Sequence, residues 1–220
     1  MLVSPCDGMV GACDTVRGTE LFQAKGFPYL LEDLLIDPAV TETYRYGTYV
    51  TPRLTSSMYH RFHAPHDATV ERVTYVSGDT WNVKPIALKR VERRFYRNER
   101  AVLRLCLASG GHPVALVPVA AILVPSIRLH FLDVVMNMNY SGATDVACSP
   151  RAASVCATGS PTARSSGWAS ALWFCPEATG ERGADTLFSM QRSRCRLVRA
   201  ACQFGELPLP SRPVRTSPCP

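Results

Sequence analysis

The chain has 220 residues, 46% of them hydrophobic and 19% charged, which is ordinary for a globular protein and enough for one full domain, or one domain and a tail. The net charge is +6, but residues 1–148 hold 15 Lys and Arg against 14 Asp and Glu, while residues 149–220 hold nine Arg against four acids; the basic excess belongs to the last third. The longest apolar run, Val114 to Ile127, is about fourteen residues and contains Pro118 and Pro125, too short for a membrane-spanning helix, which needs about 20.

In chain order, Met1 to Glu20 has short apolar pieces punctuated by Gly8, Gly11 and Gly18, a pattern of strands and tight turns. Asp7 before Gly8 is by pattern a turn-former. Pro28 to Ile36 predicts a short helix, with Leu30, Leu31, Leu34 and Leu35 at helical spacing and Pro38 just beyond its end. Tyr44 to Leu54 and Ala68 to Val76 are rich in Val, Thr and Tyr and predict strands. Gly78-Asp79 is a turn, and Trp81 to Ile86 is expected to pack back on the sheet. Lys89 to Arg100 holds six basic residues and two acids and reads as a solvated basic face, with a phospholipid headgroup contact as the alternative. Ala101 to Leu107 and Val114 to Val124 are strands joined at Ser109-Gly110-Gly111. Ser126 to Met138 continues the alternation, and His112 and His130 stand alone as structural histidines.

Between the two Tyr- and Val-rich strands lies the densest chemistry of the chain. Three of its five histidines, His60, His63 and His66, fall within seven residues, bracketed by Tyr59 and Asp67 and fixed at one end by Pro65. Imidazole is the side chain best matched to proton transfer near neutral pH. A metal site would need three or four ligands; there is no C-x-x-C and no H-E-x-x-H, so no metal is expected.

Tyr59-His60-Arg61-Phe62-His63-Ala64-Pro65 resembles the Y-H-R-x-H-x-P signature of the phosphatidylserine decarboxylases. In the same order, Ser4-Pro5-Cys6-Asp7-Gly8 is similar to the family's S-P-x-D-G turn, and Lys25-Gly26-Phe27-Pro28-Tyr29 with the following leucines to its K-G-x-x-Y-x-L-x-x-L-L segment. Asn98-Glu99-Arg100 and Val117-Pro118-Val119-Ala120-Ala121 resemble its N-E-R and V-x-V-x-A stretches. The resemblance covers residues 1–148. It implies a proenzyme that an Asp-His-Ser triad cuts before the Ser of a late G-S-T motif, the Ser becoming a pyruvoyl group. The pyruvoyl carbonyl condenses with the amine of phosphatidylserine and takes up the electrons left when CO2 departs. Carried over, Asp7 is the triad acid, His63 the triad base, and His60 the histidine that assists decarboxylation. The phospholipid substrate would be met at a membrane surface, by a cytoplasmic protein peripheral to the inner membrane, and the matured enzyme would consist of self-processed subunits. The family's hydrophobic region ahead of S-P-x-D-G is not seen before Ser4.

No G-S-T occurs in the chain; Gly159-Ser160-Pro161 is the nearest, and its proline lacks the N–H at that place. From Ser149 on there is no Lys, His, Ile, Asn or Tyr, while eight of the 17 prolines and five of the nine cysteines lie there. That composition is expected of a frame-shifted reading of a GC-rich gene. Arg192, Arg194, Arg196 and Arg199 form a basic run without interleaved aromatics, so nucleic acid is not expected as a partner. The reading is therefore an α+β fold: a strand-rich single domain over 1–148 with few short helices, then an irregular, poorly ordered tail over 149–220. Its expected function is that of a pyruvoyl-dependent decarboxylase, or of a non-catalytic relic that lacks the reactive serine.

Overall fold

The computed structural model describes residues 4–6, 8–22, 28–55, 58–81, 97–108, 110–122, 124–129, 131–132, 134–137, 139–140, 144–147, 157–158 and 169–175. Its strands are β1 (Met9–Thr15), β2 (Glu20–Phe22), β3 (Pro28–Leu30), β4 (Thr48–Leu54), β5 (Arg61–Phe62), β6 (Ala68–Val76), β7 (Arg100–Leu107), β8 (Pro113–Val119), β9 (Ser126–Leu129), β10 (Val134–Asn137), β11 (Asp145–Ala147), β12 (Ala157–Thr158) and β13 (Ala169–Cys175). Two short helices, α1 (Leu31–Leu35) and α2 (Pro38–Thr43), lie between β3 and β4. The expected strand-rich α+β character is found.

Seven strands form one sheet in the order β1-β4-β13-β8-β7-β6-β11, and four form a second in the order β10-β9-β12-β5. The large sheet is covered on both faces. Ala101, Leu103 and Leu105 of β7 pack with Phe62, Ile127, Leu129 and Met136 of the smaller sheet. Val102 of the same strand points the other way, into a core with Tyr29, Leu31, Leu34, Leu35 and Val40 from β3, α1 and α2. Strands buried on both faces read as continuous apolar runs rather than alternations, as β7 and β8 do.

Several expected boundaries move. The helix expected from Pro28 starts at Leu31, because Pro28–Leu30 pairs with β2. Pro38, read as a stop, is the first residue of α2: its fixed φ suits a helix start, and the Asp37 side chain accepts from the Ala39 and Val40 amides. The strand expected from Tyr44 begins at Thr48. The tail is not irregular throughout. Ala169–Cys175 is a central strand between β4 and β8, and its neighbouring residues Phe174 and Cys175 fall into opposite cores, which is why no alternation marks it.

One row crosses six strands: Met9, Arg53, Ser170, Val119, Arg100 and Val76 are successive cross-strand partners. This row defines one end of the sheet. The chain leaves it from β4 into the histidine segment, from β8 into the turn at Ala121–Val124, and from β6 toward Trp81.

Candidate active site

The histidine segment connects β4 to β6, with the two-residue β5 inside it. Rigid strands hold such a connection in place, as functional loops require. Beside it runs the N-terminal S-P-x-D-G turn. The His63 amide donates to the Pro5 carbonyl at 2.7 Å, and Cys6 bridges antiparallel to Phe62. The residue preceding Asp7 thus lies against the residue preceding His63. Asp7 itself is outside the described residues, as are Ser160 and His130. Gly8 is buried, and a Cβ there would stand 2.9 Å from the Arg53 carbonyl oxygen, so only glycine lets the turn lie this close to β4.

His60 donates from Nδ1 to the Met58 carbonyl at 2.9 Å. That bond puts the hydrogen on Nδ1 and leaves the lone pair of the neutral ring on Nε2. Nε2 is buried and has no hydrogen-bond partner among the described residues. A buried nitrogen left open costs free energy that a structural histidine would avoid. It is the atom of this segment best placed to take or give a proton to a guest.

His63 is half-buried and stacks on Tyr59, with ring centroids 5.8 Å apart and planes 4° from parallel. The Arg61 guanidinium sits 5.5 Å from the centre of the same Tyr59 ring. Burial, and then the Arg61 charge, hold His63 below its ordinary 6.5. At neutral pH it is an unprotonated imidazole, the form that accepts a proton. Neither of its ring nitrogens is hydrogen-bonded among the described residues. His66 stands apart: its Nδ1 meets the carbonyl of its own neighbour Asp67 at 3.1 Å in an exposed position. The three-histidine cluster is therefore two candidates and a surface residue.

Comparison with known sequences bears on what these two histidines belong to. The phosphatidylserine decarboxylase profile matches residues 1–168. This chain belongs to the phosphatidylserine decarboxylase family. Among curated relatives, the phosphatidylserine decarboxylase proenzyme of Halorhodospira halophila is 42% identical over 129 residues, covering 58% of this chain and 42% of the relative. The proenzyme of Erwinia tasmaniensis is 37% identical over 128 residues, covering 58% and 42%. That of Nitrosospira multiformis is 37% identical over 146 residues, covering 66% and 50%. The chain thus spans half or less of the length of these decarboxylase relatives.

The family's N-E-R stretch turns out to be interior, not part of a solvated basic face. Asn98, Glu99 and Arg100 are 0%, 0% and 2% exposed. Asn98 accepts from the Trp81 amide and donates to the Trp81 and Ala120 carbonyls. Arg100 donates to the carbonyls of Leu34, Asp33 and Asn98, so it closes the C-terminal end of α1, where the helix dipole is negative. Sequence reasoning missed this because basic residues crowd the preceding stretch. The signal available was Asn98-Glu99-Arg100 running directly into an apolar strand. Lys89 to Tyr96, and the expected packing of Asn82 to Ile86, lie outside the described residues.

Proposed function

We propose that this chain is of the type that converts phosphatidylserine to phosphatidylethanolamine and CO2, through a pyruvoyl group made from one of its own serines. The observation that carries the reading is the Nε2 of His60, buried and without a partner among the described residues, inside a seven-residue match to the decarboxylase signature, Tyr59 to Pro65, that also includes His63. In this reading His63, held unprotonated, takes the hydroxyl proton of the reactive serine, with Asp7 orienting its ring. His60 carries a proton at Nε2, while its Nδ1–H stays on Met58 and fixes the ring. A pyruvoyl group, once formed, supplies an electron sink for the charge left by departing CO2.

A second reading, a relic of the family that does not mature, draws on the absence of G-S-T from the 220 residues. No helix among the described residues is long and apolar enough to cross a membrane; peripheral contact with the phospholipid is part of the decarboxylase reading. Intact mass under denaturing conditions separates the two readings. The decarboxylase reading expects two fragments, the C-terminal one blocked by a pyruvoyl, and their masses locate the serine; Ser160 is the first to check. A single chain of full mass makes this protein a relic.

A further inference from the structure

Two arginines stand in the row that crosses six strands, and they end differently. Arg100 reaches the carbonyls of Leu34, Asp33 and Asn98. Arg53 is 7% exposed, and its Nε is buried with no acceptor among the described residues. None of the ion pairs among those residues includes it. Its direction follows from β4. Val50 and Leu54 face the core that contains Phe62, while Tyr49 faces the core that contains Tyr29. By alternation, Thr51 and Arg53 lie on the Tyr29 side. Burial pushes the Arg53 guanidinium below its ordinary 12.5, and the Tyr29 phenol offsets part of that.

Main chain on both sides holds Arg53 in place, since it pairs with Met9 of β1 and with Ser170 of β13. β1 carries a bulge between Val10 and Ala12, and the residue inside it is Gly11. A Cβ on Gly11 would stand 2.5 Å from Arg53 Nε and 3.0 Å from its Cδ and Cζ. With hydrogen there instead, the guanidinium lies against the bulged main chain. A planar group covered on its face binds through its edge, where the N–H groups of arginine lie in a fixed fork. Gly11 is half-buried, and β1 is the outermost strand of the sheet, so the fork sits close to the sheet's edge. A buried cation without a counter-ion is costly, and folded proteins pair such a charge or bring a ligand to it.

We propose that Arg53, at the Gly11 bulge, is the centre of an oxyanion site that takes a phosphate or carboxylate group, on the opposite face of the large sheet from Phe62 of the histidine segment. The guanidinium fork matches two oxygens of such a group with two parallel hydrogen bonds. An apolar ligand would leave the charge as unpaired as before, and a cation would be repelled, so the open charge fixes the class of ligand. Bulges re-aim side chains at functional positions, and here the bulged residue is the one that touches the guanidinium. Two sources carry this chemistry: free phosphate, and the phosphodiester and carboxylate of a serine phospholipid headgroup. The site uses neither His60 nor His63, so it stands or falls apart from the decarboxylase reading.

Thermal unfolding of the full chain tests it, in sodium chloride, in sodium phosphate and in glycerophosphoserine at matched ionic strength. A site with Kd about 1 mM should raise the parent's Tm by roughly 5 °C at about 20 mM ligand. Arg53→Met should rise by less than about 1 °C under the same conditions. In chloride alone it should melt at or above the parent, because it replaces an unpaired buried charge by an apolar chain of similar volume. Phosphate also stabilises proteins in general, by exclusion from their surface, so an equal rise in both chains would overturn the site, as would no rise with either probe. An Arg53→Met chain that melts well below the parent in chloride would overturn it too, by showing that the guanidinium has its partner within the chain. A second readout needs only the folded parent: the Arg53 Nε–H resonance, identified by its loss in Arg53→Lys, should shift saturably with an oxyanion and not with chloride. An unmoved resonance refutes the site. A response to inorganic phosphate alone supports it with free phosphate as the source; a stronger response to glycerophosphoserine supports it with the headgroup as the source.

Discussion

The histidine crossover and the Asn98–Arg100 stretch both bring polar side chains into a largely apolar interior, and they treat them in opposite ways. Asn98 and Arg100 spend their side-chain hydrogen-bonding capacity on main-chain carbonyls from three separate parts of the chain. His60 spends one nitrogen on Met58 and leaves the other buried and open. Buried polarity therefore does not mark a site by itself. A closed polar group is a fastening; an open one is held ready for something that arrives later. Glu99 sits between two fastenings yet has both oxygens buried and, among the described residues, unpartnered, so it is where the distinction can be broken.

The fastening side of the comparison carries the largest expected effect. Arg100→Met keeps the volume but leaves three carbonyls without their donor, two of them, Asp33 and Leu34, at the end of α1. Removing one partner from a buried polar cluster costs far more than its net worth, so a loss of about 3 kcal/mol or more is expected. Urea unfolding measures it. A loss below about 1 kcal/mol would mean that these bonds are replaced by water and that Arg100 is no fastening.

Glu99 gives the next largest effect. Burial pushes its carboxyl from 4.5 up to about 7, and the nearby Tyr75 phenol holds back part of that rise. The phenol proton itself goes to the Asn137 carbonyl at 2.9 Å, so it does not close either Glu99 oxygen. The folded chain keeps a proton that the unfolded chain gives up above 4.5. Its contribution is complete below 4.5 and is lost as pH rises through about 7. In Glu99→Gln that decline should vanish, a difference on the order of 2 kcal/mol between pH 5 and pH 8. His63, whose lowered value acts in the opposite sense, is common to both chains and cancels. Denaturation midpoints of parent and variant at the two pH values decide it; parallel pH profiles would show that Glu99 is charged and closed by something else.

What could be read in the sequence follows from how local its cause is. Ala68–Val76 is a strand with the bounds its composition predicts, and Gly110 and Gly111 make the β7–β8 turn at φ 80 and 65, where glycine is at home. The histidine segment lies between strands as expected. Non-local causes were hidden. Nothing in the alternation of Arg61 and Phe62 announces a bridge to Cys6, 56 positions earlier. β13 shows no period because both its faces are covered. Arg100 looks like one more basic residue until the carbonyls of α1 are placed beside it. For the site, the residues legible from motif were His60 and His63; that His60 keeps an open nitrogen while His66 turns to its own backbone depends on geometry no spacing encodes.

The two helices provide the smallest and most local test. α1 has no side-chain cap at its start and relies on Arg100 from a distant strand at its end. α2 carries its own fastening, Asp37, whose Oδ1 accepts from Ala39 at 2.8 Å and Val40 at 3.5 Å, ahead of Pro38. A cap of this kind is worth about 1 kcal/mol, and its position on the surface of a six-residue helix limits the damage of losing it. Asp37→Ala should therefore lower the urea midpoint by about a third of the Arg100→Met effect, and Asp37→Asn, which keeps an accepting oxygen, should recover most of it. If Asp37→Ala instead matched Arg100→Met, α2 would be coupled to the fold as tightly as α1. The contrast between a helix fastened from within and one fastened from across the molecule would then fail.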